Sequence, residues 1–479
     1  MPRNCLMVSC LLSVGGCAAG PDFARPEPPP ATRYTADTLR GESVSAENQI
    51  QHIALGQNIE GAWWTLFGSN AIDDLVKQAV DHNRTLAASM ATLAQAQEMA
   101  LARAGSQYPQ VDLTAGAGRQ QYGKEFLGPF RIPPFTYFAV GPTVSYMLDY
   151  TGGVARSVEQ QYALAEVERH QLEAAYLAVT GQAVMQTLTI ASVRAQIATV
   201  KTILEQDRDN LLLVQSAFDN GSVAREDVVS AQSQIANDMT LLPPLRQELA
   251  RARHALSVVL GRAPAGKLPD DVDLAQITLP LQVPVSLPSE LAHRRPDILA
   301  AEARLHAATS AVGVAQSNLY PKIELTASVG QQSLKADQLF DRANNAWSFM
   351  AGLTAPIFDG GTLRAEKRAA VDSMRASAAT YEQTVLEAFA QVADLLEGLD
   401  HDAEQLDAQD HAQQAAQSSL DLARTSYQEG NAGVLQVLDA ERSYQQARLG
   451  YVRAVAQRYL DTVQLFLALG GTSPSASLL

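Results

Sequence analysis

The chain has 479 residues and carries 36 Lys+Arg against 51 Asp+Glu, a formal net charge of −15. With a pI near 5.0 it lacks the basic field that displaces counterions from phosphate, which excludes nucleic acid as a partner. Mean hydropathy is −0.08, and beyond the N-terminal stretch no apolar run reaches the roughly 20 residues of a spanning helix, which excludes a polytopic helical membrane protein.

Residues 1–16 read as a secretory signal, with Arg3 before a short apolar stretch, Leu6 to Val14, that ends in small residues. Val14-Gly15-Gly16-Cys17 resembles a bacterial lipobox, which would make Cys17 the lipidated first residue of the mature chain. Cys5 and Cys10 leave with the signal, so the mature chain keeps a single cysteine, as suits an oxidising compartment. The covalent lipid on Cys17 is the only prosthetic group expected. Residues 17–62, Pro-rich from Pro21 to Pro30, are expected to form the lipidated N-terminus and an extended tether.

From there the chain repeats itself. Tyr108-Pro109-Gln110-Val111-Asp112-Leu113-Thr114-Ala115 returns as Tyr320-Pro321-Lys322-Ile323-Glu324-Leu325-Thr326-Ala327. Asp149 to Gly153 returns as Asp359-Gly360-Gly361, Phe218 to Gly221 as Tyr427 to Gly430, and Leu260-Gly261 as Leu469-Gly470. Four anchors in one order define a tandem duplication, 63–285 and 286–470, with 471–479 as a C-terminal tail.

The first repeat predicts a helix over 71–105, a strand pair within 111–148 (111–119 and 136–148), and a helical hairpin over 153–260. The second predicts a helix over 288–319, a strand pair within 323–358 (323–331 and 347–358), and a hairpin over 361–469. Alternation is clean in the second pair: Ile323, Leu325, Ala327 and Val329 share one face, as do Trp347, Phe349, Ala351 and Leu353. A soluble sandwich would alternate in the same way, so the helices decide. Gly153 to Gly221 and Gly361 to Gly430 run without proline, each about 100 Å long at 1.5 Å per residue. The shorter segments, 71–105 with 222–260 and 288–319 with 434–469, sum to similar lengths when stacked. Pro243 and Pro244 should kink the first return helix. Gly221 and Gly430 suit a left-handed helix stop, Ser222 and Asn431 are expected to cap the next helix, and Glu226 and Asp227 to complement its dipole.

Paired helices of that length do not form a globule; they pack beside other copies. Four amphipathic strands cannot close a barrel in lipid, where an open edge is prohibitively costly. Two copies would supply eight strands, a barrel filled by its own side chains, and three would supply twelve, enough for a wet lumen. The fold class expected is therefore mixed α and transmembrane β: a trimeric 12-stranded barrel, four strands per chain, continued by a long α-helical barrel. Loops 119–135 and 332–346 would lie outside the cell.

Several motifs resemble the TolC-type outer membrane efflux factors, in their NodT-like lipoprotein branch: Cys17-Ala18-Ala19-Gly20-Pro21-Asp22-Phe23, Trp63-Trp64-Thr65-Leu66-Phe67, Leu287-Pro288-Ser289-Glu290-Leu291, Arg294-Arg295-Pro296-Asp297-Ile298 and Pro356-Ile357-Phe358-Asp359-Gly360-Gly361. The resemblance runs from Cys17 to Gly470. It implies a homotrimer in outer membrane lipid, the passive exit duct of a tripartite pump, with a periplasmic adaptor and an inner-membrane RND-type transporter as partners. By the same resemblance Asp439 falls on a ring carboxylate at the periplasmic aperture and Gln436 on the place of another. Tyr427 and Asp227 match two constriction partners, and Ala432 replaces the arginine of some members. Three Asp439 carboxylates around one axis would repel one another and attract cations. Gly221, Ser222, Gly430 and Asn431 form the hairpin tips that would meet the adaptor.

No Gly-x-Ser-x-Gly elbow, His-Glu-x-x-His or phosphate loop is present, so no enzyme activity is expected. His401, Glu404 and His411 fall in an acidic run that reads as a solvated helix face, and no metal site is expected. Two further readings stand beside the efflux duct: a type I protein-secretion duct, and a lipid-anchored periplasmic adaptor built on coiled hairpins. The duplicated amphipathic strands favour a duct, since an adaptor needs no lipid-facing sheet.

Overall fold

The computed structural model describes residues 19–27, 31, 33–35, 50–59, 62–123, 132–266, 269 and 271–471. The signal 1–16, Cys17, most of the tail and part of the first strand loop lie outside the described residues. In chain order the elements are β1 His52–Leu55, α1 Asn70–His82, α2 Arg84–Ala104, β2 Gln110–Gln120, β3 Phe135–Leu148, α3 Gly153–Asp219, α4 Arg225–Met239 and α5 Leu242–Val259. There follow β4 Gln282–Val285, α6 Pro288–Leu291, α7 Pro296–Ser317, β5 Lys322–Ser333, β6 Asn345–Thr354, α8 Thr362–Gln428 and α9 Val434–Ala468. The two long helices, α3 and α8, have 67 residues each.

The described residues form two compact units, and these cut across the duplication. The first gathers the strand pairs of both repeats: residues up to Pro26, Thr92–Glu168 and Ala300–Tyr381. Its sheet is antiparallel throughout, in the order β2-β3-β5-β6. Register aligns the apolar positions of all four strands. Val111 pairs with Val144, Val144 with Ala327, and Ala327 with Phe349, so one continuous apolar face results. On the other face Thr143 pairs with Ser328 and Ser328 with Ser348, whose hydroxyls lie 2.8 Å apart. Among the described residues nothing covers the apolar face: Trp347 is 81% exposed, and Leu113, Phe349 and Leu353 are similarly open. At one end the face stops at a polar pair, Gln331 Nε2 donating to Asn345 Oδ1 at 2.6 Å.

Pro142 sits in the inner strand β3, where it cannot donate to the ladder. The β3–β5 pairing skips Gly141 and Pro142, and there the backbones of Gly141 and Gly330 approach so closely that a Cβ on either would meet the other strand. The second strand of the second pair ends at Thr354, short of the expected 358. Its partner β5 begins at Lys322, opposite Thr354, so residues 355–358 have no strand to pair with, and Pro356 has no N–H to offer. Beyond it Asp359 Oδ2 and Oδ1 accept the amides of Leu363 and Gly361 at 2.9 and 2.8 Å, and these bonds hold its carboxyl below the usual range. Asp149 performs the same service for Ala155 in the first repeat.

The start of the expected tether is not free. Ala19 N donates to Thr151 O at 2.8 Å, and Arg156 binds both the Ala19 carbonyl and the Asp22 carboxylate. Phe23 stacks on His306 with centroids 4.4 Å apart, and Arg25 Nε meets Glu302 Oε1 at 2.8 Å. Residues 19–25 are a strap fastened to α3 and α7.

The second unit comprises Glu27–Ala91, Arg169–Leu299 and Glu382–Leu479. Trp63, Phe67 and Phe466 pack as a buried aromatic cluster, while Trp64 Nε1 reaches Asp73 Oδ1 at 3.1 Å. Here β1 pairs in parallel with β4, two four-residue strands too short for periodicity to reveal. The N-terminal region expected to be an extended tether thus contains a strand.

The predicted helix 71–105 breaks at Asn83, whose extended backbone starts a new helix. Its Oδ1 accepts the Thr85 and Leu86 amides, and its Nδ2 reaches Val259 O at 2.9 Å. The helix expected over 288–319 is likewise two, α6 and α7, because Pro296 opens a new first turn. Arg295, in the gap, donates Nη1 to the Ala468 carbonyl at the end of α9, placing a cation on a helix C-terminus. The break between α4 and α5 falls at Thr240–Leu241, immediately before Pro243-Pro244.

Candidate functional site: the paired hairpin tips

The helix ends that carry the expected tip residues lie in the second unit. Each long helix stops on a glycine with positive φ, Gly221 at +73° and Gly430 at +77°. The amide beyond it reaches back five residues, Ser222 N to Ala217 O and Asn431 N to Ser426 O, both at 2.8 Å. This is the αL stop that satisfies the last free carbonyls of a helix. Ser222 and Asn431 are consumed by it and do not cap the helices that follow. Those begin two residues later with Ala224 and Gly433 as N-caps, neither with a side-chain acceptor. Asp227 compensates in the first repeat: its Oδ2 accepts the Ala224 amide at 2.9 Å.

Both tips share one apolar cluster. Val214, Val228, Ala231 and Val434 are buried together, with Phe218, Tyr427 and Leu438 packed against them. Tyr427 also borders a cleft of about 200 Å³ with Asn210, Val214, Arg424, Val434 and Leu438. The structure therefore brings Tyr427 to the contact between hairpins and spends Asp227 on capping; no hydrogen bond joins the two among the described residues. Asp439 and Gln436 lie on the exposed side of α9. Asp439 offers its carbonyl to Ser443 Oγ at 3.0 Å, leaving the carboxylate to solvent.

The opposite side of α9 carries a group that sequence reasoning missed. Glu441 is only 2% exposed, and its carboxylate takes Arg424 Nη2 of α8 at 3.2 Å and the Asn210 amide of α3. It ties the two long helices to the return helix of the second repeat. Four residues on, Gln445 Nε2 donates to Asp207 of α3 at 3.0 Å. Glu441 and Gln445 continue the buried stripe Val434, Val437 and Leu449, so polar residues at apolar helical spacing were the available signal.

The first unit thus carries a sheet with one apolar and one polar face, and the second carries two helical hairpin tips packed on a shared apolar cluster. A sequence model of the family described as outer membrane efflux protein matches residues 75–262 and 287–471. The pyoverdine export outer membrane protein OpmQ of Pseudomonas aeruginosa is 28% identical over 98% of this chain and 97% of its own length. The cation efflux system protein CusC of Escherichia coli is 27% identical over 98% of this chain and 99% of its own. The solved outer-membrane channel OprN superposes with a TM-score of 0.85 at 28% identity, covering 95% of this chain and 99% of that one. The chain belongs to the outer membrane efflux protein family, whose members are efflux channels of that membrane rather than enzymes.

Proposed function

We propose that three copies close a 12-stranded barrel through the outer membrane and continue it as a helical tunnel, forming the passive exit duct of a tripartite pump for small molecules. The observation that carries this is the sheet. Its outer strands β2 and β6 each leave one edge unpaired, and its apolar face has no cover, among the described residues, so a neighbouring copy and lipid are the partners that satisfy both. Along β3 the apolar positions run from Phe138 to Leu148, about 34 Å of strand, or about 26 Å of height at a 40° tilt, against a band of about 25 Å in known barrels. Exposed Ile357 and Phe358 extend the apolar surface past the last pair of β6.

Acylation of Cys17 completes the reading. The strap fixes Ala19 beside Thr151, three residues past the end of β3, and Cys17 is within about 7 Å of chain from that point. A lipid there enters the leaflet at the rim of the sheet. The tips around Gly221, Ser222, Gly430 and Asn431 are the surface offered to a periplasmic adaptor, itself bound to an inner-membrane RND-type transporter. Asp439 and Gln436 face the aperture, with Tyr427 and Asp227 behind them. The relatives' names, pyoverdine export and cation efflux, attach different cargoes to one scaffold, which supports a duct whose selectivity lies in the pump.

Cysteines placed at Leu113 of β2 and Phe349 of β6 test closure. Oxidation of the double variant in outer membranes should give covalent dimers and trimers that neither single variant gives. A processed chain that remains monomeric and stable without detergent would refute the proposal.

A further inference from the structure

Behind the tips, α3, α4 and α9 enclose a pair of carboxyl groups that conduction does not require. Asp207 on α3 is 4% exposed. Its Oδ1 takes Gln445 Nε2 of α9, while its Oδ2 is buried with no donor. The Asp238 carboxyl of α4 faces it across the cleft that Asp238 lines together with Gln445. Asp238 is held in place by Gln234 Nε2 at 2.7 Å, and Gln234 Oε1 is in turn gripped by Arg442 Nε and Nη2 of α9 at 2.9 and 2.7 Å. Among the described residues the other charges facing the pair are Glu441 of α9 and, bound to it, Arg424 of α8. Two ionised carboxylates have no hydrogen to share, so a bond between Asp207 and Asp238 can form only while the pair holds a proton, which would then supply the donor that Asp207 Oδ2 lacks.

We propose that Asp207 and Asp238 form a proton-binding site that clasps α3 to α4, made when the pair takes up one proton and released when it loses it. The chemistry of the surroundings fits. Burial first, then the Asp238 and Glu441 charges, raise the Asp207 carboxyl to about 7 against the pull of the Gln445 amide. The group is protonated more readily in the folded chain than in the unfolded one, so the clasp is intact in mild acid and is lost as pH rises through neutrality. Its consequence for the tunnel, a looser first hairpin at alkaline pH, rests on the duct reading; the protonation itself does not.

Hydrogen exchange on the full chain in its detergent-solubilised oligomer, corrected for intrinsic rates, tests it. Between about pH 5.5 and about pH 8.5, protection across 203–215 and 226–241 should fall about tenfold in the native chain, the equivalent of one pK unit of coupling. In Asp207→Asn, where an amide supplies the missing donor at every pH, protection should stay high and flat. Asp238→Asn should behave alike and stands in if the first variant fails to assemble. A native profile parallel to that of either variant overturns the site. Flat single-channel conductance alongside a falling protection profile overturns its link to conduction and leaves the duct reading standing.

Discussion

Gly20 of the strap lies directly against Gly313 of α7. A Cβ added to Gly20 would stand 2.5 Å from the Gly313 Cα, and one added to Gly313 would stand 2.6 Å from the Ala19 carbonyl oxygen. Mid-helix glycine ordinarily costs about 1 kcal/mol relative to alanine, so Gly313→Ala at an open site would stabilise the chain. Here the sign should invert. Overpacking against backbone typically costs about 1–3 kcal/mol, and the relief available is to lift the strap. Gly313→Ala is expected to lower the thermal midpoint and to speed chymotrypsin cleavage after Phe23. Unchanged cleavage would mean that the strap is not held by this contact.

The two hairpin stops isolate the cost of backbone conformation. A Cβ at Gly221 or Gly430 meets nothing within 4 Å, yet both residues have positive φ. Alanine at either should therefore destabilise by about 1 kcal/mol through φ alone. Asn, which tolerates the left-handed region, should recover part of that. Gly398, inside α8 with equally open surroundings and no positive φ, is the control: Gly398→Ala should raise the midpoint. Equal shifts at all three sites would show that the stops are not conformationally demanding.

How much of this was legible follows from what leaves a periodic trace. The strand pairs and the two 67-residue helices were readable because alternation and the absence of proline persist over many residues. The break at Asn83 was not, since one Asn leaves the apolar spacing intact and acts only through the Val259 carbonyl it meets in the fold. Ser222 and Asn431 looked like caps because they follow glycine, but the αL stop uses the residue after the glycine for its own return bond. Glu441 could have been found on the apolar stripe of α9. Asp207 and Asp238 could not, because their relation depends on how α3 and α4 pack. The roles of Asp439 and Gln436 depend on other copies, which a single chain does not contain.

The sheet predicts an asymmetry between neighbours in sequence. Phe349 projects from the apolar face opposite Ala327, and Ser348 from the polar face opposite Ser328. A cation on the lipid face near mid-membrane costs roughly 2–4 kcal/mol, while a lumenal one is solvated. Phe349→Arg should reduce the heat-stable oligomer recovered from outer membranes severalfold. Ser348→Arg should assemble normally and shift conductance and ion selectivity toward anions. Equal assembly of the two variants would contradict the orientation assigned to the faces.

Two carboxylates of α9, two residues apart, should separate aperture electrostatics from hairpin packing. Asp439 is exposed, and its carboxylate makes no hydrogen bond among the described residues, so Asp439→Ala is expected to leave the thermal midpoint unchanged within error. It should, however, weaken block by multivalent cations, because three converging charges would be lost from the lumen. Glu441 is the reverse case. Removing it strands Arg424 and Asn210 at a buried position, and breaking such a pair costs about 3–5 kcal/mol when fully buried. Arg424 is partly exposed, which moves the expectation to about 1–3 kcal/mol after solvent screening. Glu441→Ala should therefore lower the midpoint and raise open probability in planar bilayers without altering cation block. Adding Arg424→Ala should recover part of the stability, since the stranded charge is then gone. If Asp439→Ala destabilises the chain and Glu441→Ala does not, the two sides of α9 have been assigned the wrong way round.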